Sequence, residues 1–260
     1  MKIKKVPYIL LMCSCVLAAC QAAFEPPTAT PMSSTNTPTS QPTKTSKPTE
    51  TPKPTQTPKP TFTPNIAATQ KYDEFNSLLE QIKNDGYIST TDGKTIELDP
   101  FTGEMAQIGW LRFWPIESVN PINSDFVFKA KFNWSSAATN PDSSGCGFVF
   151  GIQENGDYYA VYLTNSNVTF FLKRGSRVYR VGKTSGVGVY DFDNPAEAEF
   201  VIAVHDQKAY VLVDGVPTLY TLSVDQTTNG YIGNSVLSGT NSDYGTRCEA
   251  TEMLLWTMNE

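Results

Sequence analysis

An all-β fold, an antiparallel β-sandwich behind one short α-helix and a disordered Pro/Thr-rich linker, is predicted by three features of this 260-residue sequence. After Thr95, apolar and polar residues alternate in short runs, the period-two signature of half-buried strands. Gly, Asn and Asp punctuate those runs at fairly even spacing, as in sandwiches and barrels. Only one segment, about residues 67 to 84, repeats its apolar residues with helical spacing.

The chain opens on a short basic start, Met1-Lys2-Ile3-Lys4-Lys5, and then runs apolar from Val6 to Ala19. That order builds a signal peptide. The apolar run falls short of the roughly 20 residues a membrane span needs, and Pro, Thr and Ser follow it rather than a stop-transfer pattern. Leu17-Ala18-Ala19-Cys20 resembles the lipobox of bacterial lipoproteins. The resemblance implies that residues 1–19 are removed as a lipoprotein signal peptide. Cys20, alkylated by a diacylglycerol, then becomes the membrane anchor, placing the protein outside the cytoplasm, at the cell surface or on an outer membrane. An ordinary signal peptide cut near Ala23 is the alternative. Each buried lipid methylene contributes about 0.8 kcal/mol, so two or more chains hold lastingly where one does not.

Residues 20–64 form the expected stalk, almost wholly Thr, Pro, Ser, Lys and Gln from Pro26 onward, with the near-repeats Thr51-Pro52-Lys53-Pro54-Thr55 and Thr57-Pro58-Lys59-Pro60-Thr61. Such a segment has little apolar surface to offset the entropy of ordering. Proline biases it to an extended form that reaches roughly 100 Å at about 3.1 Å per residue. A passive spacer is favoured over a ligand for a proline-recognition domain.

Residues 65–105 are expected to be a helix and a connecting segment, and residues 106–260 the sandwich. From residue 65 on there are 13 Lys plus Arg against 24 Asp plus Glu, a formal charge of −11. A domain this acidic repels phosphate backbones, which excludes nucleic acid as a partner. The helix is read over Ala67 to Asn84, with Tyr72, Phe75, Leu78, Leu79 and Ile82 at helical spacing and Gly86 as its stop. Strands are read at Gln107 to Trp114, Asp125 to Trp134, Cys146 to Gln153, Tyr158 to Leu163, Val168 to Lys173, Arg177 to Val181, Glu197 to His205, Ala209 to Val213, Thr218 to Ser223, Gly230 to Asn234 and Arg247 to Met258. The turns between them include Asn155-Gly156, Arg174-Gly175 and Asp214-Gly215.

Cys13 and Cys15 lie in the signal peptide, so the exported domain keeps Cys146 and Cys248, and outside the cell an even pair reads as a disulfide. Alternation puts Cys146 on one face with Phe148, Phe150 and Ile152, and Cys248 on one face with Leu254 and Trp256. Both thiols are expected to point inward. Two free buried thiols are the alternative.

Gly145-Cys146-Gly147-Phe148-Val149-Phe150, then Tyr158-Tyr159-Ala160-Val161-Tyr162-Leu163, then Val211-Leu212-Val213-Asp214-Gly215 and Thr246-Arg247-Cys248-Glu249 resemble, in that order, the concanavalin A-like lectin and glucanase superfamily. The likeness spans about residues 106 to 258. It implies a jelly roll of two curved antiparallel sheets, whose concave face often holds glycans.

That superfamily includes glycosidases, and glycoside hydrolysis needs two carboxyl groups facing the scissile bond. The Glu-x-Asp-x-x-Glu run of the laminarinase-type enzymes is absent from the sequence. Asp191-Phe192-Asp193 and Glu197-Ala198-Glu199 are read as solvated acidic segments without the strand alternation that catalysis requires. His205, the one histidine, ends a strand at a hairpin beside Asp206 and reads as surface. Zinc sites and nucleophile triads need further partners for it. Asp191, Asp193 and Asn194 offer hard oxygens for calcium, without a ligand-spacing motif.

Sugar sites pair aromatic faces with polar groups that orient hydroxyls. In the strand containing Trp110-Leu111-Arg112-Phe113-Trp114, residues Trp110, Arg112 and Trp114 share a face. Trp110 and Trp114 are the candidate stacking residues and Arg112 the candidate donor to a hydroxyl or carboxylate. The alternative is that the tryptophans pack and Arg112 snorkels past them. Lys173, Arg174, Arg177, Arg180 and Lys183 surround one hairpin and read as protective edge charges, with recognition of anionic polysaccharide as the alternative. The sequence thus points to a non-catalytic, surface-displayed module that binds carbohydrate. A glycoside hydrolase or its accessory subunit, and an adhesion module for an envelope protein, are the competing readings.

Overall fold

The computed structural model describes residues 66–123, 125–137, 143–185, 193–223 and 225–259, of which 66–68 and 183–185 are described by backbone alone. The expected signal peptide, Cys20 and the expected stalk lie outside those residues, as does Asp191.

The helix α1, Ile66–Asn84, begins one residue ahead of its sequence-based bound. It stops where glycine allows. Gly86 takes a φ of 78°, and the Tyr87 N–H returns 2.9 Å to the Ile82 carbonyl. This is the six-to-one bond of a Schellman cap, which satisfies a carbonyl the helix leaves open.

Thirteen strands follow: β1 Gly93–Glu97, β2 Phe101–Met105, β3 Trp110–Pro115, β4 Phe126–Ser136, β5 Gly145–Ile152, β6 Tyr158–Thr164, β7 Asn167–Arg174, β8 Arg177–Ser185, β9 Ala196–His205, β10 Lys208–Val213, β11 Val216–Thr221, β12 Tyr231–Ser238 and β13 Thr246–Met258. They form the expected antiparallel sandwich. A seven-stranded sheet runs β1-β13-β4-β9-β10-β11, with β2 also on β13, and a six-stranded sheet runs β3-β12-β5-β6-β7-β8. The turn between β10 and β11 has Asp214 and Gly215 both at positive φ, 48° and 78°. That backbone matches the twist of a two-residue hairpin.

The main core fills the space between the sheets with phenyl rings. Phe128 stacks on Phe148 at 4.1 Å between centroids, and Phe132 on Phe200 at 4.9 Å. Cys146 of β5 and Cys248 of β13 are joined in a disulfide that ties one sheet to the other across this core.

Two expectations fail at irregular residues. Leu254 and Trp256 do not share the inward face of Cys248; they point outward, while Ala250, Met253 and Leu255 point in. A register shift between Thr251 and Leu254, with Glu252 at a φ of 51°, inserts the extra residue that reverses the alternation. Likewise Ile152 leaves the face of Cys146, Phe148 and Phe150 and packs on the outer side of its sheet, after Gly151 at a φ of 60°.

The connecting segment also carries more structure than the sequence pattern showed. Both β1 and β2 pair with β13, at Gly93↔Met258 through Glu97↔Leu254 and at Thr246↔Met105 through Ala250↔Phe101. One 13-residue strand is long enough to hold two short edge strands end to end.

Helix α1 covers the outer face of the seven-stranded sheet at one end. Phe75, Leu79 and Ile82 pack on Val127, Val201, Leu212, Leu254 and Trp256. The outward turn of Leu254 and Trp256 at the β13 bulge supplies part of the surface the helix needs.

Candidate functional site

The six-stranded sheet carries on its outer face a groove of about 610 Å³. Strand pairing lays out its floor in cross-strand rows. Leu111 of β3, Leu237 of β12, Gly145 of β5 and Thr164 of β6 stand in register, as do Phe113, Ser235, Gly147, Tyr162 and Thr169 in the next row. Val149, Ala160, Phe171 and Arg180 make a third row, with Tyr158, Lys173 and Val178 beyond it.

Glycine makes the floor deep enough. Gly147 stands opposite Tyr162, and a Cβ there would run into the Tyr162 ring. Tyr162 is therefore able to lie across β5, where its hydroxyl hydrogen bonds Ser235. Ser235 in turn donates to the Arg112 carbonyl at 2.7 Å. Burial pushes the Tyr162 phenol up, far above its ordinary range, and pushes Tyr158 up to about 12. Burial thus favours the neutral form of both phenols.

The groove lining mixes rings and aliphatic surface (Trp110, Leu111, Tyr158, Phe171, Val178, Leu237) with uncharged polar groups (Ser143, Thr164, Asn167, Thr169, Ser176). Trp110 is 60% exposed and Val178 47%, so apolar surface stands open at both edge strands of the sheet. Lys173 and Arg180 supply the only charges among the described lining residues. Lys173 donates to the Gly156 carbonyl at 2.6 Å and lies 5.6 Å from the Tyr158 ring centre; the Arg180 guanidinium lies 5.7 Å from that of Phe171.

Of the three residues singled out by sequence, only Trp110 reaches this groove. Trp110, Arg112 and Trp114 belong to alternate positions of β3, but Arg112 pairs with Val236 and Trp114 with Asn234, in the rows that lead to Cys146 and Phe148. At Trp114 that face looks into the sandwich, while Trp110 and Arg112 are exposed. Trp114 packs on the main core and against Phe101, 5.2 Å between ring centres, and Arg112 covers the Trp114 ring at 4.8 Å.

Six of the fourteen described lining residues lie on β6 and β7, segments whose sequence reads as strand without marking a face. Tyr158 through Thr164 are all buried, so polarity does not separate the sheet's two sides.

The acidic segments sit elsewhere. Glu197 and Glu199 do alternate along β9, contrary to the sequence reading, and project from the outer face of the seven-stranded sheet. There they pair with Lys131 at 2.8 Å and Lys129 at 2.7 Å. Among the described residues no group of three or more His, Cys, Asp or Glu is placed to hold a metal ion. Asn194 uses both ends of its amide on Ser136, accepting from the backbone N–H at 2.9 Å and donating to the carbonyl at 2.8 Å. Asp193 contributes its carbonyl to Asn165. His205 is held between carboxylates, Nδ1 at 2.5 Å from Asp125 and Nε2 at 3.5 Å from Asp206, away from the groove.

No family model matches the chain, and no curated protein matches it. Solved structures with a similar chain path include a carbohydrate binding module from Bacillus subtilis, 11% identical over 60% of this chain and 91% of that one, with a TM-score of 0.43. Sheep galectin-11 in complex with glycerol is 12% identical over 50% of this chain and 93% of its own, with a TM-score of 0.36. The carbohydrate recognition domain of Emp47p is 14% identical over 62% and 89%, with a TM-score of 0.42. The two antiparallel sheets packed face to face are given by this chain's own strand pairing.

Proposed function

We propose that the protein is a non-catalytic carbohydrate-binding lipoprotein, held outside the cytoplasm by a lipid on Cys20 and displayed on its Thr/Pro-rich stalk. The observation that carries the binding role is the groove: open rings and aliphatic surface beside hydroxyls and an amide, with no carboxylate among its described lining residues. Pyranose rings present an apolar face and a rim of hydroxyls, which such a lining complements. Hydrolysis by the paired-carboxylate route needs acids beside the bound sugar, and here Glu197 and Glu199 belong to the opposite sheet.

The full chain, incubated with a panel of plant, algal and bacterial polysaccharides, is expected to retain at least one of them without releasing reducing ends. Trp110→Ala is expected to weaken that retention about tenfold, equivalent to about 1.4 kcal/mol. Release of reducing ends that an acidic substitution abolishes would establish the hydrolase reading instead. Failure of every glycan together with specific capture of an envelope protein would establish the adhesion reading.

Calcium has no part in this proposal, because side chains of the groove carry the binding. Retention is expected to survive EDTA. A strict calcium requirement would shift the site towards the segment containing Asp191, Asp193 and Asn194. For the anchor, radiolabelled palmitate is expected to enter the wild-type chain and not Cys20→Ser, and the variant is expected to leave the membrane fraction.

A further inference from the structure

Four cations at the seven-stranded sheet are matched with acids: Lys71 with Glu97, Lys129 with Glu199, Lys131 with Glu197, and Arg247 with Glu104. No described carboxylate pairs with Lys173 or Arg180 at the groove. Asp157, at the adjoining hairpin, accepts from the Gly175 N–H at 2.6 Å and from the Asn155 amide at 3.1 Å, and so is committed to its turn.

In a domain with a formal charge of −11, two cations without acidic partners in a groove without acids make a local inversion of sign. Arg174 and Arg177 are exposed at the turn and serve edge protection. Arg180, also exposed on the edge strand, and half-buried Lys173 differ in lining the groove, each beside a ring.

We infer that the groove selects carboxylate-bearing polysaccharides, chains containing uronate residues, with Arg180 and Lys173 receiving the carboxylates; this rests on the reading of the groove as a glycan site. Phe171 pairs with Arg180 and Lys173 with Val178, so the two cations are diagonal neighbours on adjacent strands, about 7–8 Å apart at the backbone. Arg180 offers a planar fork that fits a carboxylate through two parallel hydrogen bonds. Lys173 offers a point charge whose position is set by its bond to Gly156. The acidic remainder of the domain opposes polyanions only over distance. At about 0.15 M salt the screening length is about 8 Å, so contacts within the groove dominate.

The experiment compares retention of the full chain on immobilised polygalacturonate and on alginate with retention on the same polymers after carboxyl reduction, at physiological salt. The wild type is expected to hold at least one uronate polymer tenfold or more tightly than its reduced form. Arg180→Gln is expected to lose most of that preference and Lys173→Gln/Arg180→Gln nearly all of it, with the thermal midpoint unchanged. Arg174→Gln/Arg177→Gln, which removes the same charge from the hairpin turn, is expected to keep the preference.

Equal retention of acidic and reduced polymers would overturn the inference and leave the glycan reading standing. A preference that survives the groove pair, or is lost equally with the turn pair, would also overturn it. Retention of no polymer, acidic, reduced or from the wider panel, would overturn the glycan reading itself.

Discussion

At the scale of single residues, the groove floor depends on side chains that fit only because a neighbour is small or uncharged. Gly147 gives Tyr162 the space to cross β5. Gly147→Ala is expected to cost about 1–3 kcal/mol by overpacking and to displace that ring, read as a lower urea midpoint together with weaker glycan retention. Burial pushes both Tyr158 and Tyr159 up to about 12 from an ordinary 10.0. The folded state thus holds these protons more tightly than the unfolded chain does. The associated stability is complete below about pH 10 and is lost as pH rises through about 12. Urea midpoints measured across that window are expected to fall while absorbance reports tyrosinate appearing late; a flat profile would contradict the burial of these phenols.

Among elements, β13 has the widest consequences. Its bulge at Glu252 splits the strand into a half that holds Cys248 and Ala250 inward and a half that turns Leu254 and Trp256 out to meet α1. A left-handed backbone costs an L-residue about 1–2 kcal/mol, and glycine escapes that cost. Glu252→Gly is therefore expected to be neutral or stabilising by up to about 1 kcal/mol, where an ordinary strand glycine destabilises. The helix is anchored by the same surface, with Phe75 only 1% exposed in its contact with the sheet. Phe75→Ala is expected to lower stability by about 3–5 kcal/mol. Because α1 sits on the opposite face from the groove, glycan retention by the folded fraction is expected to stay the same.

For the molecule as a whole, the two sheets differ in what covers them. One outer face is closed by α1 at one end and crossed by ion pairs between β4 and β9. The other is open, and its floor is the groove. The Cys146–Cys248 disulfide closes a loop of 102 residues between the sheets. In the chain-entropy model, tying a loop of that size is worth about 4–5 kcal/mol. Cys146→Ala/Cys248→Ala is expected to lose about that much in denaturant unfolding, with the fold retained, since the phenyl core between the sheets does not depend on the bond.

How much of this was legible beforehand follows from which forces act locally. Strand alternation, turn residues and the cap at Gly86 are properties of neighbouring residues, and they were enough to predict the sandwich, α1, most strand positions and two inward-facing cysteines. The sequence also determined the charge imbalance and the absence of the glucanase carboxylate run. Tertiary structure decided which face of each strand is inside, because β6 and β7 are buried on both sides and give no polarity signal. It reversed alternation at Gly151 and Glu252, where one extra residue in a strand exchanges its two faces. And it set Trp114 against the core, with Arg112 exposed over its ring, while opening Trp110, Lys173 and Arg180 to the groove, since a side chain's surroundings are fixed by strand partners far away in the chain.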